Sequence, residues 1–144
     1  MPPKKPKKTD PRNKQSTSKI KRIPVEIPKG ISFYFRYLQN DNQKFTVQNR
    51  DARYFESFLM RLRDLSTLTF AEIINNRSKS LRCHLIDWED ITEPNGFGIP
   101  NEEQIVNSPY QFQISSNEHG RVHGFFLDNI FYIVWLDPNH NLYQ

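Results

Sequence analysis

The sequence predicts an α+β domain in which a helical hairpin packs on one face of a small antiparallel sheet, preceded by a disordered basic N-terminal tail. Three observations lead to this prediction. Apolar residues recur at three- and four-residue steps over residues 51–65, three short alternating runs fill the last 35 residues, and basic residues concentrate in the first 22 positions. The 144 residues therefore divide into a tail, 1–22, and a single α+β domain, 23–144.

The tail is predicted from its charge and its prolines. Residues 1–22 carry nine basic side chains and one acidic, a net charge of +8, whereas the other 122 residues have a net charge of −4. The run from Pro2 to Lys8 has three prolines that oppose helix and nothing to bury. The tail can attract RNA phosphates through Lys4, Lys5, Lys7 and Lys8, or it can be a solubilising linker.

The first half of the domain is predicted to contain one strand and two helices. The strand covers residues 31–38, with the aromatic and β-branched odd positions on one face. Asn49 or Asp51 caps a helix that runs to about Leu65, and Thr69 begins a shorter helix whose Glu72 completes a capping box. A short strand within residues 81–88 and one or two helical turns at 101–106 follow.

Three antiparallel strands are predicted at 110–115, 121–127 and 130–136. A two-residue turn at 128–129 aligns Phe125 with Tyr132, His123 with Val134 and Arg121 with Leu136, and a five-residue turn aligns Gln113 with His123. Alternation then gives a face for the helices, which includes Phe112, Ile114, Val122, Gly124, Phe126, Phe131, Ile133 and Trp135.

The opposite face of these strands is mixed, and it is the best functional candidate in the sequence. It holds Gln111, Gln113, Ser115, Arg121, His123, Phe125, Tyr132 and Val134. Arginine can bind a phosphate bidentately and an aromatic ring can stack on a base, so Gln113 and Tyr132 are candidate RNA-binding residues. The alternative is an ordinary sheet with one solvated face.

The order of one strand, two helices and three antiparallel strands resembles the RelE/ParE toxin superfamily. Residues 117–126 and 130–135 look like that family's penultimate hairpin, and 137–143 stand where those toxins have a basic-aromatic C-terminal segment. The strand pattern also resembles small proteins of bacterial mobile elements. The resemblance implies a RelE-like fold and a toxin-type endoribonuclease that cleaves mRNA by attack of the ribose 2′-hydroxyl on the adjacent phosphate.

The resemblance also implies roles for particular residues. Arg121 would stabilise the phosphate, His123 or His140 would act as acid or base, and Tyr143 or Tyr132 would orient the phosphate or stack a base. Glu118 is a possible second base. Residues 137–141 can instead form a structured turn in which the aspartate caps backbone amides.

The implied partners are an antitoxin protein and RNA or the ribosome. The alternative function is a non-catalytic RNA- or protein-binding module that uses the same sheet face and basic arm. One cysteine, Cys83, excludes a disulfide scaffold, and its spacing to the histidines fits no zinc signature, so no metal is expected. Asp87, Glu89, Asp90 and Glu93 surround Trp88 in what is predicted to be a solvated loop.

The start of the sequence does not resemble a secretory signal, and the common cofactor motifs are not found in the sequence. The Walker, G-x-G-x-x-G and G-x-S-x-G motifs do not occur, so no cofactor is expected. Without an apolar run of about 18 residues or a signal-like start, the protein is expected to be cytoplasmic, with no membrane partner.

Overall fold

A computed structural model describes residues 2–6, 23–24, 26, 29–40, 43–76, 81–116 and 118–143. The strands are β1 (Ser32–Tyr34), β2 (His84–Leu85), β3 (Pro109–Gln113), β4 (Arg121–Leu127) and β5 (Ile130–Asp137). The helices are α1 (Ala52–Ser66), α2 (Phe70–Asn75) and α3 (Glu102–Ile105), with a short 3-10 helix at Trp88–Asp90. The predicted α+β class is confirmed. Most of the predicted tail, including Lys7 and Lys8, lies outside the described residues, whereas Lys4 and Lys5 are exposed.

The sheet is mixed, so the prediction of a purely antiparallel sheet is wrong at one edge. The strand order is β1-β5-β4-β3-β2, and β1 runs parallel to β5 while the other neighbours are antiparallel. The long connection between β1 and β5 allows this arrangement, because parallel neighbours need a crossover. β1 is also shorter than predicted: after Tyr34 the chain turns away, which leaves Phe35 46% exposed rather than in the core.

The two predicted helices are confirmed together with their caps. The Asp51 side chain accepts a hydrogen bond from the Tyr54 amide at 3.2 Å, and Thr69 and Glu72 form the reciprocal capping box. Both helices contribute to what we call the helix-side core. Its buried members are Ile31, Tyr54, Phe58, Leu62, Leu65, Ile73, Leu81, Cys83, Phe112, Ile114, Val122, Phe131, Ile133 and Leu136.

A β-bulge interrupts the hairpin of β4 and β5, and the predicted register is correct only between the bulge and the turn. Next to the turn, Phe125 pairs with Tyr132 as expected. The register then shifts between His123 and Gly124, so that His123 pairs with Trp135 and Arg121 pairs with Asp137. The predicted partners, Val134 and Leu136, are therefore wrong by one residue, because a bulge inserts one extra residue into one strand.

The bulge and a longer β3–β4 connection also change the faces of the sheet. Gln113 pairs with Arg121, and Gln111 rather than Gln113 pairs with His123. Trp135, which was expected among the helices, lies on the opposite side of the sheet. Gly124 lies on the helix side, as expected, where a Cβ atom would fall 1.9 Å from the Tyr132 carbonyl oxygen and 2.9 Å from the Phe131 ring.

The second face of the sheet is buried, which corrects the expectation of an open RNA-binding surface. Segments from both halves of the domain cover it and form what we call the loop-side core. Its buried members are Phe45, Ile86, Phe97, Ile99, Phe125, Val134, Trp135 and Leu142. Gln39 attaches the covering segments to β5 at the bulge. Its backbone amide donates to the Val134 carbonyl, and its side-chain oxygen accepts from the Trp135 indole, both at 2.9 Å. Across the described ranges, no helix has the length and apolar character needed to cross a membrane.

Candidate functional site

Three of the predicted catalytic residues meet at one pocket beside the covered face. Arg121, His140 and Tyr143 line a cavity of about 240 Å³ together with His84 and Gln111. Arg121 begins β4, His140 and Tyr143 lie in the segment that follows β5, and His84 belongs to the edge strand β2. The pocket therefore brings together a guanidinium group, two imidazoles and a phenol from three separated parts of the chain.

Charged groups of both signs act on Arg121 and Tyr143 at the pocket. Partial burial and the nearby positive charge of Arg82 both lower the pKa of Arg121, whereas Tyr143 and Asp137 act in the opposite direction. Partial burial raises the pKa of Tyr143, and Asp87 and Asp90 raise it further while Arg121 lowers it. Two neighbouring guanidinium groups repel each other, so an anion bound between them would be stabilised by both.

The hydrogen bonds of His84 attach its ring to two neighbouring parts of the sheet. Nδ1 lies 2.9 Å from the Leu85 carbonyl oxygen. The Gln111 side-chain nitrogen lies 2.7 Å from Nε2 and 3.4 Å from Nδ1. The imidazole of His84 is therefore held at the pocket by the Leu85 backbone and by the Gln111 amide.

A buried carboxylate holds the segment that carries His140 and Tyr143. Asp137 Oδ1 accepts from the Asn141 amide at 2.7 Å, and Oδ2 accepts from the Leu142 amide at 3.0 Å. Oδ2 also accepts from His123 Nε2 at 3.1 Å, and both side chains are almost completely buried. The predicted turn, with its aspartate capping backbone amides, is present.

The buried pair is a carboxylate and a neutral histidine. Desolvation lowers the pKa of His123, and this outweighs the hydrogen bond and the charge of Asp137, which raise it. Desolvation alone would raise the pKa of Asp137, but the hydrogen bonds from His123, Asn141 and Leu142 outweigh it and the pKa is lowered. His123 therefore lies beneath the pocket and orients the turn rather than lining the cavity.

The remaining predicted site residues, Glu118, Tyr132 and Gln113, do not line the pocket. Glu118 contacts His119 at 3.4 Å and Arg53 at 3.8 Å. Tyr132 stacks on Phe125 with ring centroids 5.0 Å apart, so this ring face is already covered. The Gln113 side chain is 4% exposed, because its face of the sheet is buried.

Cys83 belongs to the helix-side core rather than to a reactive site. It is buried, and desolvation raises the pKa of its thiol to about 12, so the nucleophilic thiolate is disfavoured. Within the described residues, no three His, Cys, Asp or Glu side chains are grouped so that they could hold a metal ion.

His84 and Gln111 are the pocket residues that sequence reasoning missed. Gln111 was assigned to the open sheet face, and His84 was considered only as a metal ligand. Their pairing depends on β2 lying next to β3, where His84 pairs with Gln111.

Comparison with protein-family models finds no matching family, and comparisons with curated proteins and with solved structures find no significant match.

Proposed function

We propose that the protein is a RelE-like, toxin-type endoribonuclease that cleaves RNA at the pocket formed by His84, Arg121, His140 and Tyr143. The observation that supports this proposal is the meeting of two imidazoles and a guanidinium group at one cavity. Cleavage by the ribose 2′-hydroxyl needs a base for that hydroxyl, an acid for the leaving oxygen and a cation for the crowded phosphate. These groups supply all three.

The hydrogen bonds at the pocket suggest how the roles are divided. His84 would accept the proton of the 2′-hydroxyl through the ring nitrogen that lies against Gln111, once the Gln111 amide moves aside. His140 would then protonate the departing 5′-oxygen. Arg121 would bind the phosphate, with Arg82 adding positive charge nearby, and the Tyr143 phenol would orient one of the phosphate oxygens.

The test is cleavage of end-labelled single-stranded RNA by the full chain. We expect products that end in a 2′,3′-cyclic phosphate, and His140→Ala should slow cleavage by about 100- to 10,000-fold, the usual contribution of a general acid or base. His119→Gln is the matched control, because this histidine contacts Glu118 outside the pocket. Induced expression of the unmodified chain should arrest growth, and the Arg121→Ala, His140→Ala double variant should relieve the arrest.

The second candidate function is RNA binding without cleavage. The specific observation in its favour is the 2.7 Å contact between the Gln111 side-chain nitrogen and His84 Nε2, because the catalytic proposal needs this histidine free to act as a base. This function predicts RNA affinity that falls steeply with salt and depends on Arg121, Lys4 and Lys5, with no cleaved product. His140→Ala would then leave the affinity nearly unchanged. Binding without any cleavage would therefore overturn the catalytic proposal.

A further inference from the structure

A groove at the free edge of the sheet lies next to the pocket. β2 is the last strand in the sheet order, so within the part of the chain that the structure describes no strand pairs with its outer side. The groove, of about 540 Å³, is lined by residues 85–89 together with Ser108 and Pro109. His84 and Leu85 are consecutive in β2, yet His84 lines the pocket whereas Leu85 lines this groove.

The backbone of β2 is suited to receive another strand. The Ile86 amide donates to the Pro109 carbonyl at 2.9 Å, so the residues at even positions of β2 are the ones bonded to β3. Because bonded and non-bonded positions alternate in an antiparallel ladder, the Leu85 amide points away from β3. β2 has two residues, and the Leu85 carbonyl oxygen already lies 2.9 Å from His84 Nδ1. The main-chain group that this edge offers to another chain is therefore the Leu85 amide.

The side chains around the groove select the chemistry of the occupant. Leu85 is 55% exposed and Trp88 is partly buried, so both offer apolar surface to a partner. Asp87 and Glu89 add two carboxylates to the lining, and the lining contains no basic residue. A cationic side chain would be attracted by these carboxylates and could lie over the indole of Trp88.

We propose that this groove docks an extended segment of a partner protein in which basic and apolar residues alternate. The segment would pair with β2 through the Leu85 amide, place its apolar side chains against Leu85 and Trp88, and direct its lysines or arginines toward Asp87 and Glu89. Main-chain bonds give affinity in strand addition, and the alternate side chains give specificity.

The test measures binding of blocked synthetic peptides to the full chain by calorimetry and tryptophan fluorescence. Trp88 lines the groove, so binding is expected to change the tryptophan emission, and calorimetry measures the affinity directly. A peptide of alternating lysine and valine should bind saturably, whereas one of alternating glutamate and valine should not. Equal binding of the two peptides, or no binding of either, overturns the proposal.

Two variants test the two kinds of contact separately. Leu85→Pro removes the outward amide and should weaken binding of the lysine–valine peptide by roughly tenfold, the loss expected for one main-chain hydrogen bond, whereas Leu85→Val keeps the amide. Glu89→Lys changes an exposed side chain, so it keeps the proposal testable if the proline variant fails to fold. It should weaken binding, and Glu103→Lys, an exposed change on α3, should not.

Two other occupants would overturn the proposal. If the full chain self-associates in sedimentation experiments and Leu85→Pro abolishes the self-association, the groove belongs to a second copy of the chain. If a peptide with the sequence of residues 1–22 binds the groove more tightly than the lysine–valine peptide, the groove belongs to the chain's own basic tail. Normal peptide affinity in the Glu89→Lys variant would likewise contradict the proposed charge complementarity.

Discussion

Replacing Asp137 with asparagine should destabilise the fold and loosen the wall of the pocket. The carboxylate accepts three hydrogen bonds, from the Asn141 amide, the Leu142 amide and His123 Nε2. Asparagine has the same shape but only one oxygen, so its NH₂ group must face at least one of these donors. The substitution thus removes a buried charge-assisted bond and leaves a buried donor without an acceptor.

The expected loss is about 3 kcal/mol in the free energy of unfolding, because a hydrogen bond to a charged group contributes roughly 1.5–3 kcal/mol and an unsatisfied buried donor adds a further cost. A protein of this kind has a total stability of about 5–15 kcal/mol, so the variant should still fold. Folding lowers the pKa of Asp137 from its ordinary value of 3.8. The stabilisation that its carboxylate gives the fold is therefore fully present above pH 3.8 and is lost as the pH falls through the lower pKa of the folded state.

Urea unfolding followed by tryptophan fluorescence measures this loss near neutral pH. Asp64→Asn is the matched control, since this aspartate forms an exposed pair with Arg63 and should change the free energy of unfolding by about 1 kcal/mol or less. The RNA cleavage rate should also fall in Asp137→Asn, because His140 and Tyr143 lie in the segment that the carboxylate holds. A variant as stable as the Asp64→Asn control would refute the role assigned to Asp137.

Three further predictions concern buried groups. Burial lowers the pKa of His123 from its ordinary 6.5, so on acidification the unfolded chain takes up this proton before the folded chain does. The free energy of unfolding should therefore fall as the pH drops below about 6.5, by up to roughly 1 kcal/mol per pH unit, and His123→Gln should reduce that fall in urea titrations. Gly124→Ala should cost about 2–3 kcal/mol in thermal unfolding, because its Cβ would meet the backbone of Tyr132. Cys83 should resist iodoacetamide at pH 8 in the folded protein and react in urea, and rapid alkylation of the native chain would contradict its raised pKa.

The elements that depend on neighbouring residues could be predicted from the sequence. Asp51 and Thr69 cap their helices through side chains three residues from their partners, and the turn at 128–129 fixes the first pairs of its hairpin. These interactions are local, so the sequence contains both partners at a known spacing. The resemblance to the RelE/ParE superfamily, rather than a local spacing, named Arg121, His140 and Tyr143 as site residues, and the structure places all three at one pocket.

The covered face could not be predicted because it depends on contacts between distant segments. Phe45, Phe97, Ile99 and Leu142 lie in stretches without periodicity, so no pattern indicates which face they cover. One signal was present: Phe125, Tyr132 and Val134 make the supposedly open face strongly apolar, which favours burial over solvation. Two phenylalanines from the loops, Phe45 and Phe97, belong to the matching apolar surface.

The bulge in the last hairpin explains why the buried pair and the pocket occur together. Val134 and Trp135 are both apolar, so an extra residue at this point leaves no mark in the alternation. Its effect is to shift the remainder of β5 by one position, which places Asp137 opposite Arg121 and on the same side of the sheet as His123. Without the shift, Leu136 would pair with Arg121 and the carboxylate would not reach His123 from the strand. The chain leaving β5 is therefore held beside Arg121 by Asp137, and this is what places His140 and Tyr143 in the pocket.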